Sequence, residues 1–330
     1  MRRAFAPGRV NLIGEHTDYT GGYVLPMAVQ LGTTVELGAR GRPEVVIASA
    51  DEPRRAAVAL DVIDPASVQP EWARFVAGVV AELRPVDGGV GTVTTTLPIG
   101  AGLSSSAALE VAVALALGFE GTSLDLALLC QRAEQRASGV PCGIMDPLAS
   151  AAGVAGHALL IDCRMNEVTP VPLPADAEVV AVHSGQHRTL VGSAYGERRA
   201  ACERAVAEIG PLRDASLESL GSITHPAVRR RARHVVTENA RTLAFAAALR
   251  SGDLALAGSL MDESHRSLRD DFEVSTPVLD TLVERLRATP GVHGARLTGA
   301  GFGGCAVALT EAGALHEGWR LEAVDGARLV

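Results

Sequence analysis

The chain has 330 residues, 47% apolar and 3% aromatic, and carries a formal net charge of −8 at pH 7. This length can bury one large core or two of medium size. An acidic chain with few aromatic residues lacks the basic face and the stacking rings of nucleic-acid-binding proteins. No apolar run reaches the roughly 18 residues of a membrane span, and the N-terminal residues lack the apolar stretch of a signal peptide. We therefore expect no nucleic-acid partner and no membrane partner.

The cysteines bear on the cellular compartment of the protein, and the lack of lysine restricts the reactions that it can catalyse. The five cysteines are scattered and form no Cys-x-x-Cys pair, which favours a reducing cytoplasm over a disulfide framework or a zinc site. The sequence contains no lysine, so all 30 basic residues are arginine. A Walker A loop, a protein-kinase site and Schiff-base chemistry each need a lysine and are excluded. Any phosphate chemistry must therefore use backbone N–H groups, a helix N-terminus, a metal ion or arginine.

Residues 8–19, here called the signature segment, gather polar side chains at the end of a predicted strand. Residues 9–13 alternate polar and apolar, which predicts a short half-buried strand, and Gly14 breaks it before a turn. Such a turn suits side chains that converge on a small ligand, and carboxylates or an imidazole suit a polyhydroxylated one. A surface cluster of salt bridges fits the same residues. The polar members are Arg9, Asn11, Glu15, His16 and Asp18.

Further along, apolar periodicity and turn residues predict a chain that mixes strands and helices. A proline-rich segment at 170–174 is the best candidate for a linker between two halves. The predicted strands are 33–40, 45–49, 56–60, 92–97, 157–162, 178–183, 293–298 and 305–310. The predicted helices are one that opens near residue 72, 107–117, 123–137, one that ends near residue 249 and one that opens at residue 276.

A glycine–serine loop, residues 98–106, joins the strand at 92–97 to the apolar helix at 107–117. Gly100 and Gly102 allow the backbone to approach a ligand closely. The serines stand at the helix N-terminus, where unpaired N–H groups and the helix dipole favour an anion. A serine hydroxyl there can also reach Mg²⁺. An ordinary serine-capped helix fits the same pattern.

Other positions stand out by residue type and by neighbourhood. Glu134 is a single glutamate on a predicted helix, where most such side chains are solvated. Asp146 lies in an apolar segment rich in Gly and Pro, where its desolvation must be compensated, although it also fits as the cap of a turn. Tyr195 precedes a pair of arginines and fits a tyrosine packed at a helix start. The C-terminal glycine loop, residues 299–304, has four glycines and predicts either exposed backbone N–H groups or a plain hairpin.

These motifs resemble those of the galactokinase family within the GHMP small-molecule kinases. The signature segment, the run Gly-Ala-Gly-Leu-Ser-Ser-Ser-Ala at 100–107, the segment 139–146 and the C-terminal glycine loop each match a family motif. The resemblance implies a two-domain α+β fold of mixed sheets packed with helices, with the active site between domains at 1–172 and 173–330. The family's phosphate loop works without lysine, in agreement with the composition.

The resemblance also implies an activity. Family members use ATP and Mg²⁺ to phosphorylate the anomeric C1 hydroxyl of α-D-galactose. Asp146 would accept the proton of that hydroxyl, and Arg9 would lie beside Asp146 and stabilise charge on the moving phosphoryl group. The family usually has glutamine after this aspartate, whereas this chain has Pro147, which can alter the local turn.

The matching motifs assign ligand contacts as well. The sugar would be held by Glu15, His16, Thr17, Asp18, the backbone of Gly143, and Tyr195. The phosphates of ATP would lie on Gly100, Ala101, Gly102, Leu103, Ser104, Ser105 and Ser106. The Mg²⁺ ion would be held by Ser106 and Glu134.

Two alternatives stay open at the level of sequence. The chain can be a related sugar 1-kinase for N-acetylgalactosamine, galacturonate or arabinose, because sequence does not reveal pocket volume. It can also be a non-enzymatic galactose sensor descended from a galactokinase. Known sensors of that kind carry a damaged serine–alanine segment in the phosphate loop, whereas residues 104–108 are intact here. We expect a monomeric cytoplasmic enzyme.

Overall fold

The computed structural model describes residues 1–98, 100–186 and 191–330, so that Ile99 of the glycine–serine loop lies outside the description. Within these ranges the chain forms thirteen strands and eight α-helices. The strands are β1 (Arg2–Asn11), β2 (Tyr23–Val24), β3 (Pro26–Arg42), β4 (Glu44–Ser49), β5 (Ala56–Ala59), β6 (Gly88–Thr95), β7 (His157–Asp162), β8 (Glu167–Pro172), β9 (Ala177–His183), β10 (Val292–Thr298), β11 (Cys305–Glu311), β12 (Trp319–Leu321) and β13 (Arg328–Leu329). The helices are α1 (Ala73–Leu83), α2 (Ser105–Leu117), α3 (Ser123–Ser138), α4 (Met145–Ala152), α5 (Val191–Ile209), α6 (Pro226–Ser251), α7 (Leu254–Asp270) and α8 (Pro277–Arg287).

Three sheets organise these elements. Their strand orders are β13-β1-β3-β6-β4-β5, β10-β11-β9-β12 and β2-β7-β8. The described ladders are antiparallel except the pair β4–β6, which is parallel. Helices pack on these sheets, with α2 against β1 and β3 and α7 against β10. The expected fold of mixed sheets packed with helices is therefore confirmed. No helix in the described part of the chain is long and apolar enough to cross a membrane.

Helix α2 is apolar on almost every side and occupies the centre of the larger core. Alanine, valine and leucine fill most of its length, and all its residues from Ala107 to Leu117 are buried except Leu115. It contacts the helices α1, α3 and α4 as well as the six-stranded sheet. A helix enclosed in this way holds its N-terminal end, and the loop before it, in a fixed position.

Gly8 lets the glycine–serine loop lie directly on β1. A β-carbon at Gly8 would stand 2.6 Å from Leu103 O and 2.5 Å from Leu97 Cδ2, closer than real contacts allow. The pairing of β1 with β3 shifts register between Pro7 and Arg9. Beside this irregularity, Arg9 N–H donates to Leu103 O at 3.1 Å. The loop and the start of the signature segment are thus fastened side by side.

The largest hydrophobic core crosses the predicted division between the two halves. It contains Ala6 of β1 together with Val179 of β9 and Val307 of β11. Strand β13, from the end of the chain, also pairs with β1. The two predicted domain ranges remain a prediction.

Two segments that the sequence predicts as a turn and a linker form regular structure instead. Residues Met145–Ala152 form α4, and Pro147 fits its first turn because N–H groups there have no partner inside the helix. Residues 170–172 complete β8. Pro170 and Pro172 are tolerated because β8 lies at the edge of its sheet.

Candidate active site

A cavity of about 160 Å³, here called the first cavity, forms where the signature segment, α3, the start of α4 and the C-terminal glycine loop meet. The structure therefore brings together most of the side chains that the sequence singles out, although they come from distant parts of the chain. The predicted site residues that line the first cavity are Arg9, Glu15, His16, Asp18, Glu134, Gly143, Asp146 and Tyr195.

A bidentate ion pair, with two parallel hydrogen bonds, joins β1 to α4 at the wall of the first cavity. Arg9 Nε lies 2.6 Å from Asp146 Oδ1, and Arg9 Nη2 lies 2.7 Å from Asp146 Oδ2. Arg9 Nη1 donates to Gly102 O at 2.7 Å. The side chain of Arg9 is 6% exposed and that of Asp146 is 29% exposed, so the carboxylate is the accessible partner. Paired charge-assisted bonds of this kind fix the orientation of the carboxylate.

Ser104 gives Asp146 a further donor. Its hydroxyl donates to Asp146 Oδ2, so that this oxygen accepts two hydrogen bonds. Ser104 has a φ of 60°, in the left-handed region that residues other than glycine rarely occupy. It stands at the N-cap of α2, but among the described residues its side chain makes no capping bond. The first N–H groups of α2 therefore stay available to an anion.

Ser106 and Glu134 join α2 to α3 with two oxygen atoms. Ser106 Oγ donates to Glu134 Oε1 at 3.0 Å. Burial, followed by the nearby charge of Asp146, raises the pKa of Glu134 to about 7, because both disfavour the ionised carboxylate. Oxygen ligands in this arrangement fit Mg²⁺, which binds one or two carboxylates and completes its shell with phosphates and water. Within the described residues, no three His, Cys, Asp or Glu side chains form a metal site by themselves.

Glu15 lines the first cavity although it is only 2% exposed. Its Oε1 accepts from Gly299 N–H at 2.7 Å and lies 3.3 Å from the hydroxyl oxygen of Thr298. Arg296 Nη1 lies 3.6 Å from the same oxygen. These contacts with the described residues all fall on Oε1, which leaves Oε2 for a ligand.

His16 is a neutral imidazole packed among aromatic rings. Its ring centroid lies 4.6 Å from that of Phe272 and 5.6 Å from that of Tyr195. Burial lowers the pKa of His16 to about 3, because the charged imidazolium would lose its hydration. Since Ala300 O can only accept, Nε2–H donates to it at 3.3 Å, and Nδ1 accepts from the Tyr19 hydroxyl at 3.1 Å.

Asp18 and Gly143 face each other at the first cavity. Burial, followed by the charge of Asp146, raises the pKa of Asp18 from its usual 3.8 to about 7. A β-carbon at Gly143 would overlap the carboxylate of Asp18. Only glycine at this position therefore leaves the carboxyl group where it is.

Thr17 and Tyr195 have different surroundings. The Thr17 hydroxyl lies within hydrogen-bond distance of two backbone oxygens, 2.8 Å from Gly14 O and 2.6 Å from Tyr23 O. Thr17 is fully buried and lies outside the wall of the first cavity, so it closes the turn of the signature segment. Tyr195, on α5, lines the first cavity with its ring centroid 5.6 Å from that of His16.

A second cavity, of about 410 Å³, borders the same glycine–serine loop. Ser105 and Ser106 line it together with the rings of Trp72 and Phe75 and with residues of the six-stranded sheet. Its aromatic lining suits a planar base. The sequence analysis misses this cavity because its wall comes from separate strands and helices, and Trp72 by itself signals only the start of a helix.

Comparison with known proteins shows where this sequence is similar to others. A family model described as the galactokinase galactose-binding signature matches residues 2–39. The models of the N-terminal domain and the C-terminal region of GHMP kinases match residues 74–154 and 245–322. The chain is 47% identical over 329 residues to a galactokinase of Bos taurus, a match that covers 94% of this chain and 83% of that protein. It is 46% identical over 335 residues to a galactokinase of Homo sapiens, covering 96% and 85%.

Solved structures show the same architecture. The crystal structure of Lactococcus lactis galactokinase complexed with galactose has a TM-score of 0.92 at 33% identity, covering 99% of this chain and 94% of that one. A mevalonate kinase structure has a TM-score of 0.65 at 20% identity, covering 94% of this chain and 91% of that one. The second similarity concerns the fold alone.

Proposed function

The chain belongs to the galactokinase family of GHMP kinases and is an ATP-dependent sugar kinase; we propose that it transfers the γ-phosphoryl group of ATP to the C1 hydroxyl of α-D-galactose, giving galactose 1-phosphate and ADP. The observation that carries this proposal is the ion pair of Arg9 and Asp146. It lines the first cavity and, through Gly102, also contacts the glycine–serine loop. A sugar hydroxyl and a phosphate group can therefore meet at this pair.

Asp146 is oriented to accept the proton of the C1 hydroxyl. Its Oδ2 accepts from Arg9 Nη2 and Ser104, whereas among the described residues Oδ1 accepts from Arg9 Nε alone. The second lone pair of Oδ1 is the acceptor for the sugar hydroxyl. Phosphoryl transfer needs little covalent help from the protein, so positioning and electrostatic stabilisation by Arg9 supply most of the acceleration.

The sugar is held by groups that have hydrogen-bonding positions facing the first cavity. Oε2 of Glu15 and the carboxylate of Asp18 accept sugar hydroxyls, and the Gly143 backbone and Tyr195 add further contacts. His16 meets the sugar as a neutral ring. A cavity of about 160 Å³ is smaller than the pockets of drug-sized ligands and fits a single sugar ring. Thr17 acts by fixing the turn, and its direct contact with the sugar remains a prediction.

ATP binds along the glycine–serine loop. Its phosphates lie on residues 100–106 at the N-terminus of α2, where the open N–H groups and the helix dipole attract negative charge. Its base lies in the second cavity against Trp72 and Phe75. Ser106 and Glu134 would hold Mg²⁺, which neutralises charge on the phosphate oxygens when bound.

We place the enzyme in the cytoplasm as a monomer that uses small molecules and has no nucleic-acid or membrane partner. The net charge of −8 and the scattered spacing of the cysteines, with no Cys-x-x-Cys pair, support this proposal. Light scattering coupled to size-exclusion chromatography tests the monomer directly, since a dimer doubles the measured mass.

The activity is tested by ADP release from Mg-ATP with galactose, glucose, mannose, arabinose, galacturonate and N-acetylgalactosamine. We expect turnover with galactose, and we expect Asp146→Asn to lower kcat at least about a hundredfold while galactose binding stays near normal. Turnover with another sugar alone would retain the chemistry and overturn the choice of sugar. Galactose binding without any turnover would overturn the enzymatic proposal in favour of a sensor.

A further inference from the structure

A layer of buried charged residues lies behind the signature segment. Glu238 of α6 is fully buried, and its Oε1 accepts from Gly14 N–H at 3.0 Å and from the Ser264 hydroxyl at 2.6 Å. Arg241 Nε donates to Oε2 of Glu238 at 2.9 Å. Arg296 of β10 belongs to the same layer and is also fully buried. The turn that carries Glu15 is thus held from behind by residues of the second half of the chain.

Arg296 contacts the signature segment at two points. Its Nη1 donates to Asn11 O at 3.2 Å and lies 3.6 Å from Glu15 Oε1. Two residues further along β10, Thr298 also donates to Asn11 O, at 2.9 Å. Among the described residues, Arg296 forms its ion pair with Glu15.

The remaining nitrogen atoms of this guanidinium are buried at a cost in stability. Nε and Nη2 of Arg296 are buried and have no hydrogen-bond partner among the described residues, and the same holds for the Asn11 side chain. Unpaired buried donors cost free energy, and replacing a buried ion pair with apolar side chains is often neutral or stabilising. A costly arrangement of this kind beside a ligand cavity points to function.

We propose that Arg296 is a positioning residue for the sugar: it holds Glu15 Oε1 against the C-terminal glycine loop and so directs Oε2 into the first cavity. The proposal rests on the function proposed above, because Glu15 matters here as a sugar ligand. Arg296 lies behind Glu15 and takes no part in phosphoryl transfer. Its removal should therefore weaken sugar binding equally in the ground state and in the transition state.

The first test is Arg296→Met, which removes the charge and keeps an apolar stem. We expect the KM and the Kd for galactose to rise at least about tenfold, with kcat and the KM for ATP within about twofold of the parent values. A fall in kcat together with a rise in both KM values would indicate general loosening and overturn the proposal. Calorimetric Kd values do not need turnover, so failure of the parent chain to release ADP would count against the proposed function and not against this inference.

A double-variant cycle decides whether Arg296 acts through Glu15. The Kd for galactose of Arg296→Met/Glu15→Gln should equal that of Glu15→Gln alone, because the proposal has the arginine act on the sugar through Glu15. Effects that multiply would overturn the proposal. The double variant should also melt above Arg296→Met, since it no longer buries an unpaired carboxylate. If Arg296→Met does not fold, the comparison of the double variant with Glu15→Gln still gives the answer.

Arg241→Met is the matched control, because Arg241 pairs with Glu238 in the same layer and not with Glu15. We expect it to lower the melting temperature while the Kd for galactose stays within about twofold of the parent value. An increase in Kd as large as that of Arg296→Met would show that any disturbance of the layer has the same effect. The specific role of Arg296 would then be refuted.

Discussion

Ser104 is a residue at which fold stability and activity should respond differently to substitution. Its hydroxyl donates to Asp146, whereas its backbone is held at a φ of 60°. Ser104→Ala and Ser104→Gly both delete the hydroxyl, but only glycine adopts this backbone conformation without steric cost. The pair of variants therefore separates the hydrogen bond from the backbone.

General values for a charge-assisted hydrogen bond and for a left-handed backbone give the expected size of the loss in kcat and of the difference in stability. A hydrogen bond to a charged group contributes about 1.5–3 kcal/mol, so losing the donor to Asp146 should lower kcat roughly 10- to 100-fold in both variants. The left-handed conformation costs a residue with a β-carbon about 1–2 kcal/mol. Ser104→Gly should therefore be more stable than Ser104→Ala by about 1 kcal/mol, although both are equally impaired in turnover.

A coupled ADP assay at saturating galactose gives kcat and the KM for ATP, and thermal melting gives the stability. Asn166→Gly is the control, because Asn166 has a φ of 56° in the turn between β7 and β8, away from the first cavity. It should raise the melting temperature and leave kcat unchanged. A kcat within about threefold of the parent in both Ser104 variants would refute the reasoning. A raised KM for ATP with normal kcat would limit Ser104 to the phosphate contact proposed above and remove its role in turnover.

Three further predictions concern the two cavities. Asp18 has a pKa of about 7, so its carboxylate forms as the pH rises through neutrality. Because the carboxylate is the proposed acceptor for a sugar hydroxyl, the Kd for galactose should fall about tenfold from pH 6 to pH 8. Asp18→Asn should abolish this dependence. A flat profile in the parent chain would contradict the acceptor role. The folding stability should change with pH in the opposite direction. Between about pH 4 and pH 7 Asp18 keeps its proton in the folded chain and loses it in the unfolded chain, so the free energy of unfolding of the parent should fall over this range. Gly143→Ala should raise the Kd for galactose at least about tenfold by displacing Asp18, with the KM for ATP unchanged; a normal Kd would show that the cavity adapts. Trp72→Ala should raise the KM for ATP about tenfold and leave galactose binding alone, and an unchanged KM for ATP would remove the base from the second cavity.

The helices around the glycine–serine loop are predictable because their signals are local. The predicted ranges 107–117 and 123–137 agree with α2 and α3 to within two residues at each end. Both helices stop at glycines in the left-handed region, Gly118 and Gly139, which the sequence displays directly. Helix α4 escapes prediction because Pro147 reads as a helix breaker, although in the first turn of a helix it breaks no hydrogen bond.

The contacts that complete the candidate site are not local, and residue patterns do not reveal them. Ser104 reads as a helix cap, yet its left-handed backbone turns the hydroxyl toward Asp146, 42 residues away. Glu15 meets Gly299 across 284 residues of sequence. Arg296 lies in a strand whose pattern indicates only burial, so nothing in the sequence marks it as the partner of Glu15. The family resemblance links Arg9 with Asp146, but the residues behind the site emerge only from the folded chain.

The contact of Ser106 with Glu134 has a consequence for inhibitor design. Glu134 lines the first cavity and Ser106 lines the second, so their hydrogen bond of 3.0 Å joins the walls of two compartments of unequal size. A bisubstrate compound that joins a sugar to a nucleoside must carry its linker past this contact. The larger aromatic compartment offers such a compound affinity through buried apolar area. The smaller polar one offers selectivity, because an analogue that lacks one hydroxyl leaves a buried carboxylate unpaired.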